Sequence, residues 1–215
     1  MKKVFAIVLI VCLAMTAVFA DKGDFKLGAQ FGYGSESLSV KKSDDNFLKV
    51  NNGGFYVAGT GEYFFSDAVA ARFEFGLNTM GKATSNSKVA GIKILDNSKA
   101  SKSSPMHFSI YGGLEYNIEV SKQVALELGA GWDVLVGKES DADDAKTNAS
   151  MGLGFEVIAA FAVSKDFDIT LGSKFGWHFI NTDEDIADAY DTATDNGWKT
   201  TATAFQFFAG VSFAL

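Results

Sequence analysis

Eight times along the chain, apolar residues alternate with polar or small ones at a period of two, and the eight stretches are joined by connections that are alternately short and long. In the last stretch, 203–215, Leu215, Phe213, Val211, Ala209, Phe207 and Phe205 share one face, while Ala214, Ser212, Gly210, Phe208, Gln206 and Ala204 share the other. A helix would repeat every 3.6 residues; a period of two is that of a strand. The other predicted strands are 25–34, 54–64, 69–78, 106–118, 124–136, 151–163 and 167–179. Residues 65–68, 119–123 and 164–166 are of hairpin-turn length, whereas 35–53, 79–105, 137–150 and 180–200 are long and rich in Ser, Asn, Asp, Gly and Lys. Strict alternation places every short turn at one end of an antiparallel up-and-down sheet and every long loop at the other. Eight such strands suffice to close a barrel.

Which face points inward follows from the polar face. Gly28, Gly32, Gly113, Gly129, Gly131, Gly152, Gly154, Gly172, Gly176 and Gly210 all lie on it. A solvated outer face has no use for so many glycines, which weaken strands; a narrow lumen filled by its own side chains needs small residues between large ones. The opposite face carries no Asp, Glu, Lys or Arg in any predicted strand, as lipid requires when a midplane Lys or Arg costs about 2 to 4 kcal/mol. Aromatic residues gather at the strand ends: Phe25, Tyr63, Tyr116, Phe161 and Phe213 toward the short turns, and Tyr33, Phe55, Trp132, Trp177 and Phe179 toward the loops. This is the pattern of two interfacial girdles. A soluble barrel of the lipocalin kind, its apolar face inward, is the competing architecture.

Residues 1–20 have a basic start (Lys2, Lys3), an apolar run from Val4 and a small-residue cleavage pattern, Val18-Phe19-Ala20, before Asp21. They read as a secretory signal peptide, leaving 21–215 as a single barrel domain. The one cysteine, Cys12, lies inside that run and follows Val11 rather than the small residue a lipid anchor needs. Without Lys2 and Lys3 the chain has 17 bases against 26 acids, a net charge of about −9, and no cysteine. Disulfides and thiolate metal sites are thereby excluded, and the acidity argues against a nucleic-acid partner. No further run of about 18 apolar residues is present, so no membrane helix is expected.

These features together resemble the small eight-stranded outer-membrane β-barrels of the outer membrane protein A, X and W types, most directly through the apolar, aromatic-rich terminal strand. The resemblance implies an all-β transmembrane barrel in the bacterial outer membrane, with short periplasmic turns and long extracellular loops. Its partners would be outer-membrane lipid and, through the C-terminal strand, the barrel-assembly machinery. In the A and X types the interior is closed by charge networks, and the W type has a more apolar lumen suited to greasy solutes.

Lys26, Glu62, Arg72, Glu74, Glu115, Glu127, Asp133, Glu156 and Lys174 are phased inward. Buried charges must be paired or hydrogen-bonded, so the expectation is a charged plug, with Arg72 at its centre because a guanidinium can bridge two carboxylates. Six acids against three bases leave three carboxylates over. A gate or ion path is the functional alternative. The large apolar inward residues are Tyr56, Tyr111, Leu135, Ile158 and Phe208, the set that a greasy-solute channel would draw on.

Catalytic patterns are thin. His107 and His178 are inward and near the loop end, without cysteines or regularly spaced acids, so no metal, cofactor or enzymatic activity is expected. Glycine-rich segments with strand periodicity and no following helix do not bind phosphate. Acidic runs at Glu139, Asp141, Asp143, Asp144 and at Asp183, Glu184, Asp185, Asp188, Asp191, Asp195 read as a solvated rim, lacking the glycine and terminal Glu of a calcium loop. Val89, Gly91, Ile92, Ile94 and Leu95 give the second loop an apolar core that would prolong a hairpin beyond the membrane and offer a partner an edge or patch. Two functions follow: a surface structural or interaction protein acting on a surface ligand through its loops, or a channel for small solutes.

Overall fold

The computed structural model describes residues 25–43, 46–80, 84–89, 92–99, 107–138, 147–181 and 199–215. They form β1 (Phe25–Ser43), β2 (Asn46–Ser66), β3 (Val69–Met80), β4 (Thr84–Val89), β5 (Ile92–Lys99), β6 (His107–Ser121), β7 (Val124–Lys138), β8 (Thr147–Ser164), β9 (Phe167–Asn181) and β10 (Lys199–Ala214). Eight of these run β1-β10-β9-β8-β7-β6-β3-β2, and β2 pairs back onto β1, closing an antiparallel barrel. The seam is the terminal alternation itself, registered on β1 from Lys26↔Ala214 to Lys41↔Lys199.

Alternation decides what each strand buries. On β10, Ala204, Gln206, Phe208 and Ser212 are buried in the lumen, while Phe205, Phe207 and Phe213 are about half exposed on the outside. The same holds around the barrel, where Phe31, Phe55, Phe75, Leu114, Trp132, Phe155 and Trp177 face outward. Such a belt in water would forgo about 1.5 to 3 kcal/mol per large apolar side chain; against lipid it is the matched surface, and the barrel is a transmembrane one. Of the girdle aromatics, Tyr33, Tyr116, Trp132, Phe161, Trp177, Phe179 and Phe213 are exposed on this face, and Phe25 and Tyr63 are partly covered. At the loop end Trp132 and Trp177 each meet Phe179, at 6.2 and 5.8 Å between ring centroids; at the turn end Phe167 meets Phe213 at 4.7 Å.

The three short turns share one local device. In each, an apolar residue drops out of the ladder (Phe65, Val120, Val163) and a serine follows it (Ser66, Ser121, Ser164). The serine hydroxyl then accepts from a turn backbone N–H: Val69 to Ser66 at 3.2 Å, Gln123 to Ser121 at 3.3 Å and Asp166 to Ser164 at 3.4 Å. Serine suits the position because its short side chain reaches backbone two or three residues on. The carbonyl ending each turn accepts from the next hairpin, Asn117 N to Ala68 O, Ala162 N to Gln123 O and Ala214 N to Asp166 O, and Leu215 N to Phe25 O ties the seam.

The strands run further than the apolar alternation predicts. The expected loop 35–53 is largely a hairpin: β1 continues to Ser43 and β2 begins at Asn46, with Glu36↔Asn52 and Leu38↔Val50 in register. Likewise, the expected loop 79–105 contains β4 and β5. β4 takes over from β3 along β2, with Thr84↔Asn51 following Met80↔Gly54, and β5 pairs on β4. The backbone ladder does not depend on an apolar face, so Ser, Asn, Thr and Lys sustain it above the membrane. Strands of 19 and 21 residues, at about 3.3 Å each, far outrun a hydrocarbon core of about 30 Å. The expected leader 1–20 with Cys12, the acidic runs at 139–144 and 183–195, Gly91, and the side chains of Val89, Ile94 and Leu95 lie outside the described residues.

Candidate functional site

Small beside large is how the lumen is filled. A Cβ on Gly172 would lie 2.6 Å from the Phe208 ring, and one on Gly154 would lie 2.9 Å from the Tyr111 ring. Their absence lets Tyr56, Tyr111, Ile158 and Phe208 cross the lumen, each at most 1% exposed, with Tyr56 and Phe208 in ring contact at 6.3 Å.

Between these rings lie the charges. Arg72 on β3 binds Glu62 of β2 through Nη1, donates from Nε to Glu156 Oε2 of β8 at 3.2 Å, and lies 3.8 Å from Glu115 Oε2 of β6. Lys174 on β9 binds Glu74 of β3 and reaches Asp133 Oδ1 of β7 at 3.3 Å. Its ammonium also sits 5.2 Å from the Tyr111 ring centroid, a favourable cation–π position. β3 and β9 are separated by three strands in either direction, so the Lys174–Glu74 pair spans the full diameter. Gln30, its amide oxygen toward Arg72 Nη2 (2.5 Å) and its NH2 toward Glu74 Oε2 (3.2 Å), joins the two centres.

The structure therefore brings Glu62, Arg72, Glu74, Glu115, Asp133, Glu156 and Lys174 into one buried constellation. Glu127 is buried beside it, with Oε2 lacking a hydrogen-bond partner among the described residues. Lys26 is set apart: half-buried near the turn end, it donates to Asp168 Oδ2 at 2.7 Å and lies over the Phe64 ring. Asp168 shares the inward parity of Lys174 and was legible by that criterion, yet it escapes a search for central charges. The two histidines take separate acids: His178 Nε2 is 3.1 Å from Asp133 Oδ2, and His107 Nδ1 is 3.0 Å from Glu36 Oε2. Glu36 could not be foreseen from a connection read as loop. Among the described residues, neither histidine belongs to a group of three metal-ligating side chains.

What this arrangement can do chemically is hold the walls together across the lumen. Buried ions need excellent pairing to offset desolvation, and here the pairs are made wall to wall.

No family model and no curated protein matches the sequence. The fold has clear counterparts among solved structures. Neisserial surface protein A superposes with a TM-score of 0.56 at 14% identity, over 89% of this chain and 99% of that one. Outer membrane protein OprG from Pseudomonas aeruginosa gives a TM-score of 0.56 at 12% identity, over 90% and 96%. At such identities the likeness is one of fold: this chain is an eight-stranded transmembrane β-barrel of the outer-membrane kind.

Proposed function

We propose that the protein is an integral outer-membrane barrel with a closed lumen, acting at the cell surface as a structural and interaction protein rather than as an enzyme. The observation that carries this reading is the Lys174–Glu74 pair across the full diameter, together with Arg72 bridging β2 and β8 in the same buried layer. A lumen crossed in this way leaves the protruding hairpins as the parts able to act. β1, β2, β4 and β5 continue the sheet past the barrel, and among the described residues β5 pairs on one side only. An unpaired edge with Ile92 67% exposed suits strand addition by a partner. Similarity to a protein named as a surface protein supports the placement.

The test is to replace residues 89–95 by a short Gly-Ser turn in cells that carry the protein. Adhesion to protein-coated surfaces should fall to the level of cells lacking the protein, with the barrel still folded. Unchanged adhesion would remove the hairpin from this account.

A second reading rests on the buried lumen cluster of Tyr56, Ala58, Ile158 and Phe208, which gives an apolar wall segment of the sort a channel for greasy solutes needs. It requires those side chains to part, whereas they are packed against one another.

A further inference from the structure

Charge in the lumen does not balance within the pairs just described. Arg72 serves Glu62, Glu156 and, at 3.8 Å, Glu115; Lys174 serves Glu74 and Asp133. Glu127 receives neither, and Lys26, which lines the same turn-end cleft, is held by Asp168. Both Glu115 Oε2 and Glu127 Oε2 are fully enclosed without a hydrogen-bond partner among the described residues. An enclosed carboxylate left unmatched is costly.

The side chains of these two residues converge with a third. Glu62 on β2, Glu115 on β6 and Glu127 on β7 each present an oxygen, and the three lie within 4.8 Å of one another. Calcium binds carboxylate oxygens at about 2.3 to 2.6 Å, so ligands on opposite sides of one ion stand about 4.6 to 5.2 Å apart. Access exists as well: a cleft of about 250 Å³ opens at the turn end between Phe64, Asn117 and Lys26 and reaches Glu127.

We propose that Glu62, Glu115 and Glu127 form a binding site for a calcium-sized divalent cation within the lumen. Three hard oxygen ligands select such an ion over softer metals; Arg72 offsets one of the carboxylates around it, and a divalent charge offsets two more. Water entering through the cleft supplies the remaining ligands. A bound ion ties β2, β6 and β7 together across β3, bracing the turn-end half of the barrel. The site stands apart from the closed-lumen reading, since a conducting barrel could carry it too.

The experiment is equilibrium dialysis of calcium against the refolded, EDTA-stripped full-length protein in detergent micelles, comparing wild type with Glu127→Gln and Glu115→Gln. Folded protein is scored by heat-modifiable mobility. Wild type should bind one equivalent more than either variant, and calcium should raise its urea midpoint by a shift that the variants lose. Equal stoichiometry in wild type and variants, meaning acidic loops alone, would overturn the site, as would a wild-type midpoint that calcium leaves unmoved. Because a variant could fail to fold, crystals of the wild type soaked in manganese provide a second reading: an anomalous peak among the three carboxylates is expected, and its absence contradicts the proposal.

Discussion

Arg72 is the residue on which the lumen turns. Parity alone places it inward, and its fork lets it hold Glu62 and Glu156 at once. Arg72→Ala would strand both carboxylates in an enclosed space, so urea unfolding in micelles should show a loss of about 3 to 5 kcal/mol. Arg72→Lys should recover only part of it, because a point charge cannot span both acids. An unfolding midpoint within error of wild type would mean that solvent screens the site. Parity did not reveal which acid pairs with which base. Glu156 and Lys174 are direct cross-strand neighbours, yet Lys174 reaches over the lumen to Glu74 and Glu156 turns to Arg72. Strand neighbours are fixed by the ladder, whereas contacts across the lumen depend on stagger and side-chain length, neither of which appears in a period of two.

At the scale of elements, the strands' existence and phase were legible because each must present one face to lipid. Their loop-side ends were not, since polar residues continue a ladder as well as apolar ones once the membrane is left behind. The repeated apolar-Ser pair before each short turn, Phe65-Ser66, Val120-Ser121 and Val163-Ser164, is visible in the sequence, but its meaning depends on the bulge and the hydroxyl contact that the structure shows. Phase can be tested on the closing strand. Val211 registers with Ala29 and Ile169 on the outward face, so Val211→Asp places a carboxylate against lipid. The heat-modifiable, assembled form should disappear from the membrane fraction, while Phe213→Trp, which keeps an aromatic at the girdle, should assemble normally. Wild-type levels of assembled Val211→Asp would mean that the faces are assigned the wrong way round.

For the whole molecule, the sequence indicated a barrel in lipid with charges inside, and the structure adds how those charges pair across it. Pairs run from β3 to β8 and from β3 to β9, and the rings of Tyr56, Tyr111 and Phe208 fill the space that Gly154 and Gly172 leave. The closed lumen we propose would expose the long hairpins without offering a path through the membrane. The most direct test is single-channel recording of the refolded wild-type barrel in planar bilayers under concentrated potassium chloride. The closed lumen predicts a bilayer that stays at baseline after confirmed insertion; stable, repeatable conductance steps from the wild-type protein would contradict it.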